Sequence, residues 1–439
     1  MEYYSNNYVH HDNYQSHNVT LPERAGQPLP PAETEPPKVS SLARRIHGWS
    51  WQAFPIGMGT GAVYVTLSGL KEHSATLTNV ETFFFFLNMA LFLLNVMTLA
   101  IQLVLYPKQS LRLIKDPVKG IFVPLVVLSF ATIIIGTIKY AVPTGHVHPG
   151  FVYSLFWVYV VFSILVCFPM LMVWFNNPHD LTTFTPAWAF LMLVGVVAFN
   201  VLDVISASEE RAIGVLLTGY VFQGLGFFMT FFYICIYIIR IMTTGFLNGH
   251  QANGAFVAVG PPGFTALALI KLGQKAMEIY ALFWRVLLRI SSDSDHRCLR
   301  VAWRPLQSAV ARSRLMLFGL AVFLFFFGLL PYWFKLHKHL HEILGCWALT
   351  FPNVGWISTV RVLGDIFGLR GFFTWHLVMA ILMCAVWLVL FVLTLWAFAK
   401  GEIFMAKPED VIHDSLVHPK PSPSSPSSPS SSARSSFAI

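Results

Sequence analysis

The most suggestive spacing in this chain is Cys346-Trp347-Ala348-Leu349-Thr350-Phe351-Pro352-Asn353-Val354-Gly355, a Phe-Pro pair inside a largely apolar stretch. Pro352 lacks an N–H and its ring clashes with the preceding turn, so a membrane helix bends there and leaves a backbone carbonyl free. Such a defect suits the wall of a pore or cavity. Thr60, Gln223, Thr265, Thr350 and Asn353 supply uncharged donors. Together with the N–H groups of a bent helix, such donors coordinate an anion weakly, which favours flux over tight binding.

Ionisable groups inside an apolar span are costly and mark function by default. Lys139, Arg240, Lys271 and Arg361 lie at or near span ends. Snorkelling to the interface accounts for the first three. Arg361, beyond Pro352 on the same span, is the strongest substrate-binding candidate, alongside Gln223 and Asn353, although Asp365 lies four residues on and can pair with it. Asp203, with Asn200 nearby, is either a proton-coupling carboxyl or an interfacial residue bonded to a loop.

Other chemistries find less support. His337, His339 and His341 would need further histidine boxes to hold a catalytic metal, and the chain offers just the pair His146 and His148, so they read as a solvated loop. A phosphate-binding G-x-x-x-x-G-K-S/T loop is absent from the sequence, which argues against a primary pump. Cys167, Cys235, Cys298, Cys346 and Cys384 are scattered, with neither disulfide pairing nor metal spacing. No metal, cofactor or catalytic residue is expected.

The elements that must position these residues are membrane helices. Hydrophobic residues make up 55% of the 439 and charged residues 11%, with a mean hydropathy of +0.61, whereas soluble domains carry about 25% charged residues. Apolar stretches long enough to span the bilayer fall at 49–70, 82–106, 120–142, 151–175, 186–207, 213–241, 254–273, 313–334, 344–366 and 372–399. Residues 1–45 and 401–439 read as disordered cytosolic tails, the latter rich in Ser and Pro, flanking a transporter domain over 46–400. The net charge of +8 marks cytosolic loops rather than nucleic-acid binding. Arg44, Arg45, Lys108, Arg112, Lys115, Lys119, Lys335, Lys338 and Lys400 agree with cytosolic termini, while the basic segment 274–312 contradicts that topology. Its residues 276–290 are amphipathic and suit a helix along the interface. Pro55, Pro124, Pro186, Pro261, Pro262 and Pro352 fall on odd-numbered spans, whereas among even spans Pro169 alone sits inside, Pro107 and Pro331 falling at edges. This marks the odd spans as the irregular, inner set; the bland alternative is that membrane helices tolerate proline and that Pro124 and Pro186 merely start helices.

Trp347-Ala348 with Phe351-Pro352 resembles the ninth span of the tellurite-resistance/dicarboxylate transporter family, which shares its fold with plant S-type anion channels. Gly260-Pro261-Pro262-Gly263-Phe264, Phe222-Gln223-Gly224-Leu225-Gly226-Phe227 and His47-Gly48-Trp49-Ser50-Trp51 resemble its fungal malic acid transporter branch, over roughly residues 45–400. The resemblance implies an all-α membrane protein of ten transmembrane helices, arranged as five hairpins around a central conduit that Phe351 plugs. It also implies a homotrimer in the plasma membrane that moves malate and related C4-dicarboxylate anions, with or without a proton. Sulfite efflux is the alternative within the family; those pumps follow the Phe-Pro with methionine and glycine. Residues 274–312 depart from the family pattern, in which this loop is shorter and less basic.

Overall fold

A computed structural model describes residues 39–116, 119–176, 181, 193–206, 210–246, 254–287, 315–329 and 343–415, the side chains of 281–287 excepted. Its helices are α1 (Ser41–Gly48), α2 (Phe54–Leu67), α3 (Ala75–Leu105), α4 (Pro107–Lys115), α5 (Leu125–Gly136), α6 (Pro149–Phe175), α7 (Leu193–Val201), α8 (Glu210–Thr244), α9 (Gly254–Val257), α10 (Gly260–Leu287), α11 (Leu315–Leu329), α12 (Ile343–Cys346), α13 (Phe351–Phe367), α14 (Arg370–Lys400) and α15 (Pro408–Asp414). Among the described residues, seven helical stretches are long and apolar enough to cross a membrane: Ala75–Leu105, Gly120–Thr144, Pro149–Phe175, Glu210–Thr244, Gly254–Tyr280, Ile343–Phe367 and Arg370–Lys400. The shorter α2, α7 and α11 fall where the sequence places spans one, five and eight.

Two layers result. α2 packs on α5, α5 on α7, α7 on α10, α10 on α13, and α13 back on α2, closing a ring. The three long spans of this ring bury 61%, 83% and 61% of their most apolar stretch, against 22–33% for the four long spans outside it. Outer helices carry one inward stripe instead. In α14 it is His376, Ala380, Met383, Trp387, Leu390, Thr394 and Ala397, the alternating three- and four-residue spacing of a single helix face. The stripe of α3 is partly polar, because lipid already serves its apolar face. Asn88 Nδ2 donates to Thr132 Oγ1 at 2.8 Å, Asn95 Nδ2 to the Ala53 carbonyl at 3.2 Å, and Gln102 Nε2 to the carbonyls of His47 and Trp49 at 2.8 and 2.9 Å.

Among the described residues, four of the five inner spans open on a short turn. A short turn precedes the main helix at Trp51–Ala53, Gly120–Phe122, α9, and α12 with Trp347–Leu349. Pro55, Pro124, Pro261, Pro262 and Pro352 stand at or immediately before the first turn of the helix that follows. There a missing N–H costs nothing, since that donor has no intrahelical partner. At Pro55 and Pro124 the backbone stays right-handed helical through the junction, whereas Thr350 leaves that region just before Pro352, and Pro186 lies outside the described residues. α10 differs from expectation: it runs unbroken from Gly260 to Leu287, so the amphipathic stretch expected to lie separately begins as its continuation.

The folded part also continues beyond position 400. Phe404 stacks on Trp49 with centroids 4.4 Å apart, Arg44 Nε donates to the Ala406 carbonyl at 2.9 Å, and the buried Asp414 meets His47 at 2.9 Å and Arg112. Burial pushes the Asp414 carboxyl up, but hydrogen bonds from His47 and His413 and the Arg112 charge outweigh it and hold the group below its usual range. The described N- and C-terminal segments thus meet at one end of the bundle.

α10 and α13 approach most closely, through glycines. A Cβ on Gly263 would stand 2.7 Å from the Trp356 nitrogen, and one on Gly355 would stand 2.7 Å from the Gly263 carbonyl carbon. Neither neighbour can yield, being backbone. Gly355→Val is therefore expected to destabilise the protein by about 1–3 kcal/mol or more, read as a lower melting temperature of the detergent-solubilised protein. An unchanged melting profile would show that the two helices can separate freely.

Candidate functional site

Inside the ring lies a cavity of about 240 Å³ to which all five inner spans contribute. Its floor is aromatic: the rings of Phe264 on α10 and Phe351 on α13 sit 5.2 Å apart, inclined at 31°. Toward the other end of the lining are three cations, Lys139, Lys271 and Arg361, and one carboxylate, Asp365. Ser68, Thr132, Asn200 and Ser358 add uncharged polar groups to the wall, interleaved with Val196, Leu267 and Val354.

Local structure fixes the cations. Lys139 sits on a π-turn, Thr137–Ala141, that ends α5, and its Nζ donates to Ser68 Oγ at 2.9 Å. Arg361 Nε donates to the Gly69 carbonyl at 2.6 Å, its guanidinium lies 4.8 Å from the centroid of the Phe373 ring, and it pairs with Asp365 one turn along α13. Ser68 and Gly69 follow directly on α2, so this short connection anchors two of the three cations. Three cations against one carboxylate, walled by apolar helices, give a field that attracts anions and is little screened.

The uncharged donors expected at the site do other work. Gln223 Nε2 donates to Thr265 Oγ1 at 2.9 Å, tying α8 to α10 beside Gly195, where a Cβ would come within 2.9 Å of the Gln223 Cβ. Thr60 accepts from Trp387 Nε1 at 3.0 Å and donates to the Ile56 carbonyl. Thr350 donates to the Trp347 carbonyl at 2.7 Å, while Asn353 donates to the Leu349 carbonyl at 2.8 Å and accepts from Trp356 Nε1 at 2.9 Å. These last two hold the break before Pro352 in shape. None of the five is among the cavity's lining residues, and neither are Pro55, Pro124, Pro261, Pro262 or Pro352.

Asp203 is half exposed and paired with Lys275 at 3.0 Å, also outside the lining. Of the charged candidates, Arg361 does line the cavity, joined by Lys139 and Lys271, which snorkelling had seemed to explain. A signal for all three was available: each stands toward the same end of an odd span. Among the described residues no cluster of three metal-ligating side chains occurs, and the triplet His337, His339 and His341 lies outside them.

Residues 48–395 match the family described as SLAC1, voltage-dependent anion channel. The chain is 24% identical over 393 residues to a malic acid transport protein of Schizosaccharomyces pombe, covering 88% of this chain and 85% of that protein. A putative malic acid transport protein of the same yeast is 24% identical over 381 residues, 84% of each chain. A sulfite efflux pump of Arthroderma benhamiae is 24% identical over 366 residues, covering 81% of this chain and 92% of that one.

The cavity's charge can be read directly. A cysteine introduced at Ser358 should react with a small anionic thiol reagent about tenfold faster than with a cationic one of equal size, after subtraction of the native-cysteine background. That factor corresponds to ~1.4 kcal/mol of electrostatic preference. Equal rates would mean that Asp365 and the helix ends cancel the three cations.

Proposed function

The chain belongs to the SLAC1 voltage-dependent anion channel family, and on that premise we propose that it carries malate and related C4-dicarboxylate anions past a gate formed by Phe351. At the coarser level it is a multi-pass membrane transporter of small anions and not an enzyme. The observation that carries the finer reading is the set of three cations, Lys139, Lys271 and Arg361, on one cavity. A dianion with a carboxylate at each end can engage two of them at once, which a compact anion such as sulfite cannot do as well. The malic acid transport proteins among its relatives support the same reading, and the sulfite efflux pump at equal identity supplies the competing one.

The anion enters at the cation end, sheds water against Ser68, Asn200, Ser358 and the cations, and is stopped by the ring of Phe351. An aromatic ring across a narrow path blocks a hydrated ion until it rotates or the neighbouring helices part. Thr60, Thr265, Thr350, Asn353 and Gln223 act in this scheme by holding the gate's surroundings rather than by touching the anion. The arrangement of inner and outer helices supports ten spans in five hairpins. The meeting of the described chain ends at one end of the bundle, together with the basic residues there, supports cytosolic termini. Residence in the plasma membrane and assembly as a homotrimer with one conduit per subunit belong to the same proposal.

Uptake of labelled malate by cells expressing the protein, with succinate and sulfite as competitors, tests it. Saturable uptake competed by succinate is expected, and Lys271→Ala or Arg361→Ala should raise KM about tenfold, the loss of roughly 1.4 kcal/mol of binding. Absence of malate uptake at normal surface expression, with a gain of sulfite tolerance, would transfer the protein to the efflux group.

A further inference from the structure

Glu81 is a carboxylate at the N-terminal end of α3's inward stripe, its side chain 2% exposed. Its two oxygens meet His73 Nε2 at 3.0 Å and the Tyr140 hydroxyl at 3.1 Å. The other ring nitrogen of His73, Nδ1, lies 3.1 Å from the Leu70 carbonyl. A carbonyl can only accept, so Nδ1 carries a hydrogen. Nε2 then reaches Glu81 either as a donor, with His73 cationic and Glu81 ionised, or as an acceptor, with Glu81 protonated. Both arrangements hold one extra proton in the same contact. Without it the ring carries a single N–H, and whichever nitrogen lacks the hydrogen loses its contact, to Glu81 or to the Leu70 carbonyl.

We propose that His73 and Glu81 form a proton-binding site whose occupancy sets how firmly the cavity holds its anion. A proton arriving from water at His73, whose side chain is 36% exposed, lets the ring hold Glu81 and the Leu70 carbonyl together; its release to water leaves one of the two contacts without a hydrogen. The connection that this bond pins, between Leu67 and Ala75, includes Ser68 and Gly69, the partners of Lys139 and Arg361. Tyr140, which holds the second Glu81 oxygen, adjoins Lys139 on the π-turn, a rare helical irregularity that recurs at functional sites. Proton and anion therefore act on the same few residues, and by linkage each changes the affinity for the other by the same factor.

Other titratable or charged groups face this region: Tyr64 on α2, Lys139 and Tyr140 on the α5 span, Arg361 and Asp365 on α13, and the exposed Lys71 and Glu72 beside His73. His376 on α14 is 1% exposed, has no hydrogen-bond partner at either ring nitrogen, and lies against Gly69. Among the described residues facing this connection, it is the competing histidine.

The inference rests on the anion-transport reading, so its test has one arm that needs no substrate. In purified protein, hydrogen-exchange protection factors for residues 68–74 should fall about tenfold between about pH 5 and about pH 8. Glu81→Gln, whose amide donates to Nε2 without an added proton, should keep protection high throughout and make anion KM independent of pH; Glu81→Leu should lower protection at both pH values. A Glu81→Gln variant that retains the wild-type pH response, or loss of that response in His376→Asn instead, would overturn the proposal. Absence of malate uptake with the protection change intact would overturn the substrate assignment alone.

Discussion

The arrangement depends on how closely α10 and α13 can lie. With Gly263 and Gly355 at the crossing, the two backbones touch, and Phe264 and Phe351 are brought within 5.2 Å of each other across the cavity floor. In a bilayer, lipid tails compete with side chains for apolar contact, so close backbone approach through small residues is a main source of helix association. The same contact seats Trp356 against α10 and, through its indole N–H, holds Asn353 and the break before Pro352. Floor and break thus follow from two missing side chains.

At the opposite end the determining constraint is electrostatic. Three cations around a low-dielectric space are tolerable because each of two is tied to the protein: Lys139 by Ser68, Arg361 by the Gly69 carbonyl and Asp365. Tethering fixes position while leaving net positive charge in the cavity.

Much of this was legible beforehand, for physical reasons. Apolar length reveals spans, and Pro55, Pro124, Pro261, Pro262 and Pro352 fall on helices of the closed ring, although Pro169 lies inside the outer helix α6. What sequence misjudged was the place of each ring proline: it stands at or immediately before the first turn of a helix, where no N–H is needed. Arg361 was recognised at the cavity, whereas Lys139 and Lys271 look like snorkelling residues when each span is read alone. Thr60, Gln223, Thr350 and Asn353 are polar for the sake of neighbouring helices and turns, a demand invisible without the partner. Glu81 escaped notice because a single acid in an apolar run gives no hint of His73, eight residues away, or of Tyr140 on another helix.

The central claim is that the aromatic floor, and not the charged end, is the barrier to anion flow. Anion flux through the purified protein in liposomes, compared between wild type and Phe351→Ala, addresses it most directly. Removing the ring is predicted to raise flux about tenfold or more, a barrier lowered by ~1.4 kcal/mol. Unchanged flux in a variant that melts like wild type would place the barrier elsewhere and contradict the account.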